Sequence, residues 1–67
     1  MRRWNGKKKC HMENPKIDAF LAEIAEVSKK HGLSIAHEDA HGNFEIEKFN
    51  MKNIEWLNDA SDRTGEN

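Results

Sequence analysis

The sequence predicts a small α+β domain in which a helix, a β-hairpin and a second helix follow one another (αββα). Three observations predict it. Apolar residues recur at helical spacing over 16–31, two runs on either side of residue 40 alternate with period two, and a second short helical stretch follows them. A chain of 67 residues is sufficient for one domain with a marginal core. We expect this domain to span 14–60, with the hairpin packed against the helices.

The first helix is predicted over 15–31. Asn14 is a suitable N-cap, Pro15 fits the first helical position, and Gly32 suits a left-handed stop. One apolar stripe runs along this helix and consists of Ile17, Phe20, Leu21, Ile24 and Val27. We expect the stripe to be buried as a unit.

The β-hairpin is predicted over 33–48. Apolar residues alternate with small or polar residues in both halves of LSIAHEDAHGNFEIEK, so that each strand has one apolar face. Gly42 suits the positive φ that the connecting turn requires. We expect the apolar face to pack on the first helix and the opposite face to show Glu45 and Glu47 to water.

The second helix is predicted to follow Asn50, its N-cap, and to end near Ala60. A two-stranded sheet is poorly stable and exposes both of its edges. We therefore expect self-association, either by pairing of hairpin edges into a four-stranded sheet or through Trp56 and Leu57 of the second helix. A monomer with a shielded edge is the alternative.

Charge is distributed unevenly along the chain. Residues 1–11 contain five basic residues and no acid (+5), whereas 12–67 contain six basic and twelve acidic residues (−6). We predict that 1–13 is a basic disordered arm and that 61–67 is a frayed polar tail. The arm is either an inert extension ahead of a natural start at Met12 or a segment that binds nucleic acid.

The basic arm supports a nucleic-acid-binding alternative. Cationic side chains neutralise phosphates, and an exposed aromatic ring stacks on bases, so that binding weakens steeply with salt. The residues that would make these contacts are Arg2, Arg3, Trp4, Lys7, Lys8 and Lys9.

The polar turn of the hairpin is the main candidate for chemistry. His37, Asp39 and His41 alternate, and imidazole and carboxylate groups bind transition metals. However, the sequence contains no CxxC, HExxH, phosphate loop or nucleophile elbow. We therefore favour a structural turn in which Asp39 bonds backbone amides and His37 packs beside Phe44 or bonds Glu38. We expect no metal, cofactor or enzymatic activity.

The predicted elements resemble a group of very small proteins encoded by tailed bacteriophages. The shared pattern is KKHGLSI at the helix end, HEDxHGxF in the hairpin and EWL in the closing helix, here residues 29–35, 37–44 and 55–57. The resemblance covers residues 16–60 and omits the basic arm. It implies a setting, the cytoplasm of an infected bacterium, and it transfers no catalytic residue.

Two further observations fit a cytoplasmic protein. The lone Cys10 has no partner for an internal disulfide, which suits a reducing compartment. No apolar run approaches the roughly 18 residues that a membrane span needs.

We therefore expect an interaction protein that binds stoichiometrically and inhibits a host or anti-phage defence component. Such inhibition requires a complementary surface rather than a catalytic pocket. The candidate contact residues are His37, Glu38, Asp39, His41, Glu45, Glu47 and Trp56. A further alternative is an oligomer that holds a small nucleotide-like ligand between hairpins, with His37 and His41 as polar anchors.

Overall fold

The computed structural model describes residues 1–38 and 40–66. The described chain contains, in order, β1 (Arg2–Asn5), β2 (Cys10–Glu13), α1 (Pro15–His31), β3 (Leu33–His37), β4 (Phe44–Lys48) and α2 (Met51–Asn58). β1 pairs with β2 and β3 pairs with β4, both antiparallel. The α+β class is confirmed, but the predicted αββα order is incomplete because two strands precede it.

α1 begins and ends where its local sequence predicts. The side-chain oxygen of Asn14 accepts hydrogen bonds from the N–H groups of Lys16 and Ile17, and Pro15 lies in the first turn. Gly32 has φ 70° and donates its N–H to carbonyls of the last turn. These caps satisfy backbone groups that a helix leaves unpaired at its ends.

The second hairpin, formed by β3 and β4, lies where it was predicted. Its register pairs Leu33 with Lys48 at one end and His37 with Phe44 at the other. Gly42 in the connecting turn has φ 72°, which agrees with the positive φ predicted for it. Local alternation and one glycine were therefore sufficient to predict this element.

The face of the second hairpin that is buried differs from the prediction. The backbones of both helices lie close to β3, whereas β4 lies farther away and is joined to α2 by the hydrogen bond from Asn53 to Glu47. Ser34 and Ala36 are 2% and 5% exposed, whereas every residue of β4 is exposed. The small side chains of β3 allow the helices to approach closely, so the Ser34 face is covered and the face of Ile35 and Ile46 is largely open.

The apolar stripe of α1 is covered only in part, contrary to the expectation that it is buried as a unit. Leu21 is buried and Ile24 is half-buried, whereas Phe20 and Val27 are 61% and 57% exposed. A single strand, β3, packs against this helix and is too narrow to cover the whole stripe. Leu21 and Ala36 are the buried apolar side chains of the described residues.

The N-terminal residues form a hairpin instead of the predicted disordered arm. β1 and β2 pair along their whole length, with a turn over 6–9 between them. The Oδ1 atom of Asn5 accepts hydrogen bonds from the N–H groups of Lys7 and Lys8, at 2.9 and 2.8 Å. The N–H of Lys9 donates to the carbonyl of Asn5 at 2.8 Å. This N-terminal hairpin is therefore closed by its own asparagine.

A buried arginine attaches the N-terminal hairpin to the helices. The Arg3 side chain is 1% exposed. Its Nη2 atom donates to Oδ1 of Asp18 at 2.6 Å, and its Nη1 atom donates to the carbonyls of Asn58 and Ala60, both at 3.0 Å. The planar guanidinium presents several donors in fixed directions, so it joins β1 to the start of α1 and to the end of α2.

α2 also follows its local signals at the start, where the side chain of Asn50 accepts from the N–H of Lys52. It ends at Asn58, close to the predicted end near Ala60. At this end the carbonyls of Asn58 and Ala60 accept hydrogen bonds from the Arg3 guanidinium.

A buried carboxylate holds the C-terminal segment, which was predicted to be frayed. Asp62 is 1% exposed and forms a parallel bridge with β1. Its N–H donates to the carbonyl of Trp4 at 2.7 Å, and its own carbonyl accepts from the N–H of Gly6 at 2.8 Å. Its carboxylate accepts hydrogen bonds from Nδ2 of Asn14 at 3.0 Å and from Oγ1 of Thr64 at 2.7 Å. We call Arg3, Asn14, Asp18 and Asp62 the buried polar cluster; Arg3, Asn14 and Asp62 are buried, and the side chain of Asp18 is 32% exposed.

The buried polar cluster keeps its carboxyl groups ionised. A hydrogen bond from Arg3, and a second from the N-terminal amine, lower the pKa of Asp18. Hydrogen bonds from Asn14 and Thr64 lower the pKa of Asp62. Both folded-state pKa values lie below the unfolded values, so this stabilisation is present above the unfolded pKa and is lost as the pH falls through the folded pKa.

Acid is therefore expected to weaken the fold. The free energy of unfolding should be level near neutral pH and should decrease as the pH falls below about 4, the ordinary value for an aspartate. Urea denaturation at a series of pH values measures this decrease. Asp62→Asn should reduce the steepness of this decrease. An unchanged pH dependence in that variant would show that the ionised Asp62 carboxylate does not stabilise the fold.

Arg3→Ala is expected to lower the free energy of unfolding by at least about 2 kcal/mol, because it leaves Asp18 and two carbonyls without their donor. Arg2→Ala, on the neighbouring exposed position, should change it by less than about 0.5 kcal/mol. Denaturant titrations followed by circular dichroism compare the two variants. Equal losses would mean that Arg3 has no special role.

Candidate protein-binding surface

An exposed apolar surface lies where α1 meets the second hairpin. Six of its side chains line an open groove of about 620 Å³, and Phe44 extends it along β4, since it shares a strand face with Ile46. We call this set the apolar surface, and its members are Phe20, Ile24, Val27, Leu33, Ile35, Phe44 and Ile46.

The exposure of this surface is unusual for its residue types. Phe44 is 70% exposed and Ile46 is 58% exposed. Single exposed apolar residues are ordinary on protein surfaces, whereas a contiguous apolar patch marks an interaction site. The apolar surface is therefore a candidate binding site.

The total surface area is also larger than expected. The accessible area is 5158 Å² for a chain of 7.8 kDa. A compact monomer of that mass is expected to expose about 4,400 Å². The difference of about 800 Å² shows that the domain is less compact than such a monomer.

β4 presents an unpaired edge beside the apolar surface. The N–H of Glu38 donates to the carbonyl of Asn43 at 2.9 Å, immediately beyond the strand ends. Because hydrogen-bonded and non-bonded pairs alternate in an antiparallel ladder, Phe44 and Ile46 direct their N–H and C=O groups away from β3. Within the described residues no strand pairs with that edge. It is therefore open to an added strand.

The polar turn at the end of the second hairpin is closed by Glu38. Its carboxylate accepts from the N–H groups of Ala40 and His41 at 2.8 and 2.9 Å, and it lies 3.2 Å from Nδ1 of His41. This is the turn-capping role that was predicted for Asp39, which lies outside the described residues.

His37 connects the same end of the hairpin to α2. Its ring centroid lies 5.5 Å from that of Trp56, at an angle of 38°. It also lies opposite Phe44 in the strand register. Trp56 remains 43% exposed, so part of its ring is accessible to a partner.

The predicted contact residues therefore divide into two sets. His37, Glu38, His41 and Trp56 lie near the turn of the second hairpin. Glu45 and Glu47 lie on the other face of β4, opposite Ala36 and Ser34 in the register. Oε1 of Glu47 accepts from Nδ2 of Asn53 in α2 at 3.0 Å, so this side chain is held by the fold as well as exposed.

Two predicted polar anchors, His37 and His41, have different neighbours. His37 contacts Trp56, whereas His41 contacts Glu38. Over residues 1–38 and 40–66, no group of three potential ligand side chains is arranged to hold a metal ion.

The residues that sequence reasoning missed are apolar ones. Phe20, Val27, Phe44 and Ile46 were assigned to the core, yet they form most of the open surface. The sequence did contain a signal for this. A sheet of only two strands is too narrow to bury both the apolar stripe of a helix and the large apolar residues on its own face.

Comparisons with protein-family models, with curated proteins and with solved structures find no match to this chain. Neither helix that the structure describes has the length and apolar character needed to cross a bilayer. The resemblance to tailed-phage proteins stays a prediction, and the interpretation of the site depends on its geometry.

Ile46→Thr is expected to leave the stability of the monomer nearly unchanged, within about 0.5 kcal/mol, because the side chain is exposed and threonine keeps the β-branched shape. Leu21→Ala should cost about 2–3 kcal/mol, because it removes buried volume. Thermal and urea denaturation of dilute protein measure both changes. A loss in Ile46→Thr as large as that in Leu21→Ala would show that Ile46 is part of the core.

Proposed function

We propose that this protein acts by stoichiometric binding of another protein, with the apolar surface and the free edge of β4 as its recognition site. The exposure of Phe20, Phe44 and Ile46 on a domain with so few buried apolar residues carries this proposal. A partner that covers these side chains gains roughly 25 cal/mol for each Å² of apolar area removed from water.

Charge favours a basic partner. Residues 12–67 carry a net charge of −6, and β4 itself contains Glu45 and Glu47. A strand added at the edge of β4 would place alternate side chains beside Ile46 on one face and beside the two glutamates on the other. A segment that alternates apolar residues with lysine or arginine complements both faces.

A second copy of this chain complements the edge less well. If two β4 strands pair antiparallel about Ile46, Glu45 of one copy lies opposite Glu47 of the other. Like charges directly opposite each other destabilise a sheet. The self-association expected from the sequence is therefore better supported for face-to-face contact of two apolar surfaces than for pairing of two β4 edges.

The sequence resemblance to tailed-phage proteins specifies the kind of partner that we propose. The partner would be a host or anti-phage defence component in the bacterial cytoplasm, inhibited because its own binding surface is occupied. A protein with a basic groove suits an acidic domain, since complementary charge accelerates encounter.

Affinity capture from bacterial lysate with the tagged full chain tests the proposal. The expected result is one host protein, retained near one-to-one stoichiometry and recovered again when the purified partners are mixed. Ile46→Lys should abolish the complex because it places a charge in the apolar surface. Joint reversal of Glu45 and Glu47 to lysine should weaken binding at least about tenfold, since it opposes a basic partner.

Glu45→Lys alone is compared with Glu26→Lys, because both variants reverse one carboxylate and Glu26 lies on α1 at a position that does not line the groove. Glu26→Lys should bind normally, whereas Glu45→Lys should weaken binding. Retention of the partner by Ile46→Lys, or recovery of chaperones alone, would contradict the proposed function. A concentration-dependent mass without a captured partner would indicate self-association instead.

A further inference from the structure

The N-terminal hairpin presents an outer face that the protein-binding proposal does not use. Because side chains alternate along a strand, burial of Arg3 and Asn5 places Arg2 and Trp4 on the opposite face. Trp4 pairs with His11 across the strands, with ring centroids 5.4 Å apart and an edge-to-face angle of 69°. Trp4 is 40% exposed, so its ring is open to a ligand.

Cationic side chains surround the adjoining turn. Lys7, Lys8 and Lys9 form it, and the side chain of Arg63 lies over Gly6, where its Nη1 atom is 3.0 Å from the point that a β-carbon would occupy. No carboxylate of residues 1–38 or 40–66 forms an ion pair with these four cations. Their charge is therefore available to an anionic partner.

Not every basic residue of the predicted arm belongs to this surface. The guanidinium of Arg3 is directed inward to Asp18 and is inaccessible to a phosphate. Arg2 donates to the carbonyl of His11 at 3.2 Å and faces Glu13 in the register, so its charge is partly offset. The effective cations are those of the turn together with Arg63.

We propose that this outer face binds single-stranded nucleic acid, with a base stacked on Trp4 and with phosphates neutralised by Lys7, Lys8, Lys9 and Arg63. An aromatic ring beside a cationic turn is the combination that recognises unpaired bases and their backbone. A duplex hides its base faces from such a ring, and the acidic remainder of the domain opposes extended contact with duplex phosphates.

A lipid surface is the competing anionic partner, and the structure favours it less. Membrane-surface binding requires an apolar face that inserts among the acyl chains. The outer face of this hairpin offers one large apolar side chain, Trp4, among Arg2, His11 and Glu13. Stacking on a base uses a single ring, whereas insertion requires several.

Fluorescence anisotropy with a labelled single-stranded oligonucleotide of mixed sequence tests the proposal on the full chain. Neutralisation of four phosphates predicts affinity about 50-fold weaker when salt is raised from about 50 to about 200 mM. Trp4→Ala should weaken binding at least about fivefold, and Trp4→Phe should retain most of the affinity because phenylalanine also stacks.

Lys7→Gln with Lys8→Gln should lower the salt dependence as expected for the loss of two phosphate contacts. Lys9 is left unchanged, because its φ of 58° lies in the left-handed region and substitution there also alters the turn. Lys29→Gln with Lys30→Gln removes the same charge from the end of α1 and should leave binding unchanged. Circular dichroism verifies that each variant is folded.

Three results of the oligonucleotide titrations would overturn the proposal. They are undetectable binding at low salt, affinity unaffected by Trp4→Ala, and equal losses in the two lysine pairs, which would show diffuse charge attraction. Tighter association with vesicles containing anionic lipid than with the oligonucleotide would assign the face to a membrane and would also overturn it. Host-protein capture is independent of all these outcomes, because it depends on Ile46.

Discussion

The rest of the structure depends on the interaction between the buried Arg3 guanidinium and its three acceptors. Asp18 lies at the start of α1, Asn58 is the last residue of α2, and Ala60 follows it, so one side chain on β1 holds three distant segments together. Asp62 reinforces this junction through backbone hydrogen bonds to β1. A buried charge is costly unless it is paired. Asp18 and the two carbonyls supply that pairing through Nη1 and Nη2, whereas the buried Nε atom of Arg3 has no hydrogen-bond partner within the described residues.

Polar contacts, rather than apolar packing, hold the N-terminal hairpin to the helices. Several large apolar residues elsewhere in the chain therefore stay outside the core. Both helices pack on β3, whereas β4 lies at the edge of the domain and leaves Phe44 and Ile46 exposed. The domain consequently has two surfaces of opposite character: an apolar one beside acidic residues of β4, and a cationic one with an indole on the N-terminal hairpin. We propose a different class of partner for each surface.

Elements whose signals are local were predictable from the sequence. The caps at Asn14 and Gly32 set the bounds of α1, and alternation with Gly42 set those of the second hairpin. The N-terminal hairpin was missed because its strands bury Arg3 and Asn5 rather than apolar residues, and that burial arises from partners more than 50 residues away, such as Asn58 and Asp62. Asn5 was the available signal, because an asparagine side chain bonds backbone N–H groups of the residues that follow it and so closes a turn. The apolar surface was misassigned because helical and strand periodicity indicate which residues share a face, whereas the number of strands decides whether that face is covered.

Native-state amide hydrogen exchange measures the central claim most directly. The N–H groups of Gly6 and Asp62 donate across the junction between the N-terminal hairpin and the C-terminal segment. If the buried polar cluster holds these segments to the helices, both amides should be protected to nearly the same degree as the amide of Leu21 in α1. Exchange of Gly6 and Asp62 at unfolded-chain rates, while Leu21 stays protected, would show that the N-terminal hairpin is not part of the folded domain and would contradict the account.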